Sequence, residues 1–282
     1  QFVPGVLRLF DFANPDLQGP VVATETIPTS EALWIDAVPA GVVRGGFSAR
    51  TRLRYVPDAA GEHVFSLMSA GVSRARLNGQ AAIDAWTNWT RGDSYFTFGC
   101  DEVIHRRTLA AGDVVDIEVE YSTRLPDGDF RIGALRIGAA RALGDADIAQ
   151  AVQAARDADI AIVFAGLNAE WDNEGLDRPG IELPHRQNEL IAKVAAANPR
   201  TVVVLQSGSP LLLPWIDAVP AVLQAWYPGQ ECGHAIADVL TGAVAPGGRL
   251  PQTWPLRIEE TVAFGDAAAY PGVDGNVAYT EG

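Results

Sequence analysis

Residues 145–164 read DADIAQAVQAARDADIAIVF, and this stretch decides the architecture of the second half of the chain. Apolar positions in Asp145–Ala158 (DADIAQAVQAARDA) recur at helical spacing and give way to Ile160–Phe164 (IAIVF), a continuous apolar run. A run of that kind predicts a strand buried on both faces, as in a parallel sheet. The alternation continues. Pro184 precedes a predicted helix over His185–Ala197. Thr201–Leu205 (TVVVL) reads as a second strand and Ala221–Trp226 (AVLQAW) as a third. Gln230–Leu240 reads as a helix entered after Pro228-Gly229. Alternating apolar strands and helices predict an α/β layer structure with a mainly parallel sheet over residues 143–282.

Working outward, the pattern changes before Arg141–Gly144. Phe47–Tyr55 (FSARTRLRY), Gly61–Ser69 (GEHVFSLMS), Arg74–Leu77, Val114–Tyr121 (VVDIEVEY) and Phe130–Ile137 (FRIGALRI) alternate with a period of two. Turn signals separate them at Pro57-Asp58, Asn78-Gly79 and Asp127-Gly128. Residues 1–142 therefore predict an antiparallel β-sandwich. The halves also differ in charge, at −3 for 1–142 and −11 for 143–282, within a total of −14.

A pI near 4.6 argues against a nucleic acid or an anionic membrane as partner, because both need clustered cations. No apolar run reaches 18 residues, so no membrane-spanning segment is predicted. Cys100 and Cys232 cannot form a disulfide framework and fit no zinc motif. His63, His105, His185 and His234 are scattered without ligand spacing, so no metal or cofactor is expected. Ser207-Gly-Ser209 lacks the frame of a nucleophile elbow and reads as a turn after a strand. The chain opens at Gln1 without Met or leader and ends at Gly282, which reads as a piece of something longer.

The densest chemistry is Glu170-Trp-Asp172-Asn-Glu174-Gly-Leu-Asp177-Arg178, between the strand at 160–164 and the helix at 185–197. Loops after parallel strands are where α/β sheets bind ligands. Four carboxyls in eight residues repel one another, which favours keeping one of them protonated near neutral pH. Asp177 and Arg178 are candidates to pin the loop through ion pairs. On the residues alone, a solvated acidic loop is the favoured reading.

Glu174-Gly-Leu-Asp177-Arg178, Leu183-Pro184, Gln187 and Leu190-Ile191 together resemble the corresponding stretch of glycoside hydrolase family three. The resemblance continues through Gln206-Ser-Gly-Ser-Pro210, Pro214-Trp215-Ile216, Ala225-Trp226-Tyr-Pro-Gly-Gln230, Gly248-Arg-Leu-Pro251 and Tyr270-Pro-Gly. It implies the α/β sandwich domain of a β-glucosidase-type enzyme, with Glu174 as general acid/base. Two departures stand out. Cys232 occupies a position where a small residue is usual, and His185 one where Gly is common.

The first half resembles a β-sandwich of the anthrax protective-antigen type, on Leu7–Phe12, Gly61-Glu-His-Val-Phe-Ser-Leu67, Arg74-Ala-Arg-Leu-Asn-Gly79, Ile83-Asp-Ala-Trp86 and Gly92-Asp-Ser-Tyr-Phe96. In relatives this domain is inserted before the acid/base loop, and an aromatic loop narrows the aglycone side of the pocket. The resemblance places Tyr95, Phe96 and Phe98 there as substrate-binding residues. On the residues alone, the same aromatics read equally well as strand core. No Asp-Asp pair is present, so the calcium site of some sugar-binding members is not expected.

The resemblance thus implies two domains, a protective-antigen-like sandwich at 1–142 and a partial α/β sandwich at 143–282. It implies β-linked glucosides or short oligosaccharides as substrates. It also implies a missing (β/α)8 barrel as partner, because family members draw the nucleophilic Asp from that barrel and no Ser-Asp-Trp occurs here. The chain alone is therefore expected to be inactive and to carry a docking face that makes a homo-oligomer an expected outcome. A non-catalytic carbohydrate-binding or interaction module is the alternative.

Overall fold

The period-two segments of the first half pair into two antiparallel sheets. The computed structural model describes residues 7–27, 29–35, 37–125, 132–173, 177–261 and 263–278. The chain divides into two units, Gln1–Leu143 and Gly144–Gly282.

In the first unit one sheet comprises β1 (Leu7–Phe12), β2 (Val21–Ile27), β4 (Ser48–Tyr55), β6 (Val72–Leu77), β7 (Gln80–Ala85) and β9 (Val115–Ser122). Its order is β2-β1-β4-β9-β6-β7. The other comprises β3 (Glu31–Trp34), β5 (Gly61–Ala70), β8 (Val103–Leu109) and β10 (Gly133–Arg141), in the order β3-β10-β5-β8. Five of these ten strands match the expected segments. The first two residues expected for β10, and the Asp127-Gly128 turn, lie outside the described residues.

Alternation sends one set of side chains from each sheet into a shared core: Leu9, Ala49, Ile117 and Val119 from one, Phe65, Leu67 and Leu135 from the other. Trp34 stacks on Tyr121 at 5.2 Å and meets Phe47 edge-on at 5.2 Å. The Tyr121 hydroxyl is satisfied by the Ala70 carbonyl at 2.6 Å, as a buried phenol requires. The Asn78-Gly79 turn joins β6 to β7 with both residues at positive φ, the geometry that a two-residue hairpin demands.

The opposite face of the six-stranded sheet is a ladder of charges. Arg50 and Arg74 both donate to Glu120 from either side, Arg52 pairs with Glu118, and Arg54 pairs with Asp116. The register sets these partners directly across β4, β9 and β6, so each row gains from opposite charges on neighbouring strands.

In the second unit β11 (Ala161–Gly166), β12 (Thr201–Gln206) and β13 (Ala221–Gln224) form a parallel sheet in sequence order. The helices Asp145–Asp157 and Gln187–Ala197 supply Ala155, Ile191, Val194 and Ala195 to a core shared with Ala161, Val163, Val203 and Leu205. Asn198 ties the end of the first helix down by donating to the carbonyls of Ala155 and Ala158. A third helix, Cys232–Thr241, follows a tight turn at Gly229–Glu231 and stops at Gly242, which is left-handed.

One expectation is corrected. The 160–164 strand is buried on one face only. Ala161 and Val163 face the helices, whereas Ile162 is 47% exposed and Phe164 59%. An unbroken apolar run identifies a strand but does not say how many of its faces this chain covers.

Candidate functional site

β11 ends where the acid-rich segment begins, and Gly166 makes the exit possible. A Cβ there would lie 2.0 Å from the Gln206 carbonyl oxygen, so only glycine lets the two strands stay this close. Gln187 extends the ladder past the strand end: its side-chain amide accepts from Gly166 N at 2.8 Å and donates to Gly166 O at 2.9 Å. Asn168 then starts a turn. Its Oδ1 accepts from Glu170 N, and its carbonyl accepts from the backbone N–H groups of Trp171 and Asp172.

Glu174, the acid/base residue implied by resemblance, lies outside the described residues, as do Gly175 and Leu176. Its flanks are described. On the N-terminal side, Asp172 Oδ2 accepts from Gly208 N at 3.0 Å and from the Tyr227 hydroxyl at 2.8 Å. Partial burial and this carboxylate push the Tyr227 phenol up to about 12, so it stays a donor at neutral pH. On the C-terminal side, Arg178 Nη2 donates to Ser209 Oγ at 2.6 Å. The Tyr270 hydroxyl donates to Asp177, and that contact raises the Tyr270 phenol. Among the described residues, then, the partners of Asp177 and Arg178 are hydroxyls rather than opposite charges.

A cavity of about 260 Å³ lies at the C-terminal ends of β11 and β12, lined in part by Gly166, Asn168, Trp171, His185, Gln187 and Gln206. This is where open parallel sheets bind ligands. The Trp171 ring packs partly into the core. Among the described residues no group of three or more His, Cys, Asp or Glu side chains could hold a metal ion, and no helix is long and apolar enough to cross a membrane.

In the first unit the aromatic segment is a tight turn at Ser94–Thr97 rather than a strand. Tyr95, Phe96 and Thr97 all hold positive φ, at 50°, 59° and 68°. Three successive left-handed non-glycine residues are costly and need outside support. The support is present. Phe98 N and Gly99 N bond back to the carbonyls of Tyr95 and Ser94. Ser94 Oγ donates to Cys100 O, and Arg91 donates to Thr97 O. Tyr95 and Phe98 pack on Ala70, Ile132 and Ala134, and the Tyr95 hydroxyl donates to Glu31 at 3.0 Å. Burial, and then the Glu31 carboxylate, raise that phenol. Phe96 has none of this cover and is 48% exposed. The turn therefore anchors two aromatic rings and offers the third to solvent.

Sequence reasoning missed Gly208, Ser209, Tyr227 and Tyr270 as supports of the acid-rich segment. They lie 31 to 93 residues from their partners, and no local pattern announces contacts of that range. The one available sign was the placement of Ser207-Gly-Ser209 directly after a buried strand.

Residues 36–282 match the family model described as the glycosyl hydrolase family 3 C-terminal domain. A β-glucosidase of Rhizobium radiobacter is 44% identical over 280 residues, covering 99% of this chain and 34% of that protein. A β-glucosidase of Kluyveromyces marxianus is 40% identical over 215 residues, covering 75% of this chain and 25% of that protein. The crystal structure of the Kluyveromyces marxianus enzyme in complex with glucose superposes with a TM-score of 0.83 at 36% identity, covering 89% of this chain and 31% of that one. The chain thus spans about a quarter to a third of the length of these relatives.

Proposed function

The chain belongs to glycosyl hydrolase family 3, and on that premise we propose that it supplies the acid/base half of a retaining β-glucosidase. Retaining hydrolysis needs two carboxyls about 5–5.5 Å apart. Glu174 is the proton donor from this chain, and the nucleophile comes from a (β/α)8 barrel elsewhere in the protein. In the first step the barrel carboxylate attacks the anomeric carbon while Glu174 protonates the departing oxygen. In the second, Glu174 takes a proton from the water that releases the sugar. The chain alone does not turn over, because it carries one carboxyl of the pair.

The observation that carries this reading is the Glu174-Gly-Leu-Asp177-Arg178 sequence motif in a chain of this family, with Asp172 before it and Arg178 at its end both hydrogen-bonded to the turn that follows β12. The domains are assigned as 1–142, a sandwich of the protective-antigen type, and 143–282, the partial α/β domain. Phe96 is the aromatic surface for the aglycone, stacking on sugar C–H groups or an aryl ring, with Tyr95 and Phe98 as its supports. Substrates are β-linked glucosides, in keeping with the glucose held by the Kluyveromyces marxianus relative.

The test is Glu174→Ala in the full-length enzyme. Hydrolysis of an alkyl β-glucoside falls by about 10²–10⁴, the usual worth of a positioned general acid. Added azide restores turnover of an activated aryl glucoside and yields a β-glucosyl azide. Undiminished alkyl glucoside hydrolysis without azide would remove Glu174 from the mechanism.

A further inference from the structure

The two flanks of the acid/base segment meet on one piece of backbone. Asp172, two residues before Glu174, accepts from Gly208 N, and Arg178, four residues after it, donates to the neighbouring Ser209 Oγ. Positions six apart along one loop are thus stapled to consecutive residues of another. We infer that the Ser207–Ser209 turn is the positioning platform for the general acid, with Asp172, Arg178 and Tyr227 as its clamps. This rests on the acid/base reading of Glu174 given above.

The platform is built to be rigid. It leaves β12 directly, and Ser207 is fully buried. Ser207 Oγ donates to Ser209 O at 2.9 Å, closing the turn on itself. Gln224, at the end of β13, donates through Nε2 to Ser207 O at 2.9 Å, so the turn is tied to two neighbouring strands. A group carried on strand ends is held more sharply than one carried on a free loop. Gly208 is the close-approach point. A Cβ there would fall 2.8 Å from Asp172 Oδ2 and 3.1 Å from Tyr227 Cε2, so a side chain would push the clamp apart. The contacts of Asp172 with Gly208 and Tyr227, and of Arg178 with Ser209, are charge-assisted hydrogen bonds, the stronger kind.

A general acid must sit within hydrogen-bond reach of the leaving oxygen, and displacements near 1 Å cost large factors in rate. A platform that only stabilised the fold would affect every substrate alike. One that positions an acid matters most when the leaving group needs a proton.

The experiment uses the full-length enzyme and three variants, Ser209→Ala, Tyr227→Phe and Glu174→Gln. Each is assayed on an alkyl β-glucoside and on 2,4-dinitrophenyl β-glucoside, whose leaving group departs without protonation. Ser209→Ala and Tyr227→Phe are expected to lose about tenfold or more in kcat/KM on the alkyl substrate and about twofold or less on the dinitrophenyl substrate. Ser209→Thr, which keeps the hydroxyl, is expected to recover most of the loss. If both platform variants lose equally on the two substrates, or lose nothing, while Glu174→Gln discriminates between them, the platform role is overturned and the acid assignment stands. If Glu174→Gln itself fails to discriminate, the acid assignment falls and the platform falls with it.

Discussion

The Trp171 and His185 rings meet edge to face, with 5.5 Å between centroids and 86° between planes, and His185 holds φ at +56°. A left-handed backbone of this kind is one that glycine adopts without strain. It costs an ordinary L-residue about 1–2 kcal/mol, while an edge-to-face ring contact returns about 0.5–1.5 kcal/mol.

His185→Gly removes the cost and the contact together, so its unfolding free energy is expected to stay within about 1 kcal/mol of the parent. His185→Val keeps the strained backbone, adds a β-branch and loses the ring, and is expected to lose about 2 kcal/mol. Urea unfolding compares the two directly. Equal effects would mean that backbone conformation does not govern this position.

Asp11 is fully buried, and among the described residues neither carboxyl oxygen has a hydrogen-bond partner. Burial, with Glu25 adding repulsion, raises it to about 7. The folded chain therefore binds a proton that the unfolded chain gives up near pH 4. The Asp11 contribution to stability is greatest below that pH and declines as pH rises toward 7, where the buried group must ionise. Asp11→Asn cannot ionise, so it is expected to melt several degrees above the parent at pH 8, with the gap closing by pH 4. Calorimetry at the two pH values checks it, and a gap that does not change with pH would contradict it.

The binding role proposed for Phe96 can be tested apart from stability. Its ring is half exposed, so Phe96→Ala is expected to change unfolding by less than about 1 kcal/mol. In the full-length enzyme the same change is expected to raise KM for an aryl β-glucoside severalfold with kcat largely kept. Phe96→Gly is expected to bind as poorly but to be about 1 kcal/mol more stable than Phe96→Ala, because glycine accepts φ near +59° without strain. Unchanged KM in both variants would remove Phe96 from the substrate site.

Much of this organisation is legible in the residues. Helical spacing at 145–158, apolar runs at 160–164 and 201–205, and the Asn78-Gly79 turn each report a local backbone preference, and each element forms where its pattern lies. The edge strands β2 (VVATETI) and β8 (VIHRRTL) were harder to see. Exposed edges carry polar residues that blur a period of two. The aromatics at 95–98 look like strand alternation, yet the surrounding glycines and Arg91 bend them into a left-handed turn. Support for the acid-rich segment was invisible for another reason: Asp172 and Tyr227 are 55 positions apart.

The arginine and carboxylate rows across β4, β9 and β6 carry the same sign at both margins, with Arg50 and Arg74 bracketing Glu120. A second identical face laid on this one in register would set like against like along every row. These rows thus repel their own duplicate while keeping that part of the sheet wettable, a guard against stacking written into pair order rather than net charge. Brine at about 1 M, where a charge reaches only about 3 Å, would take most of that guard away.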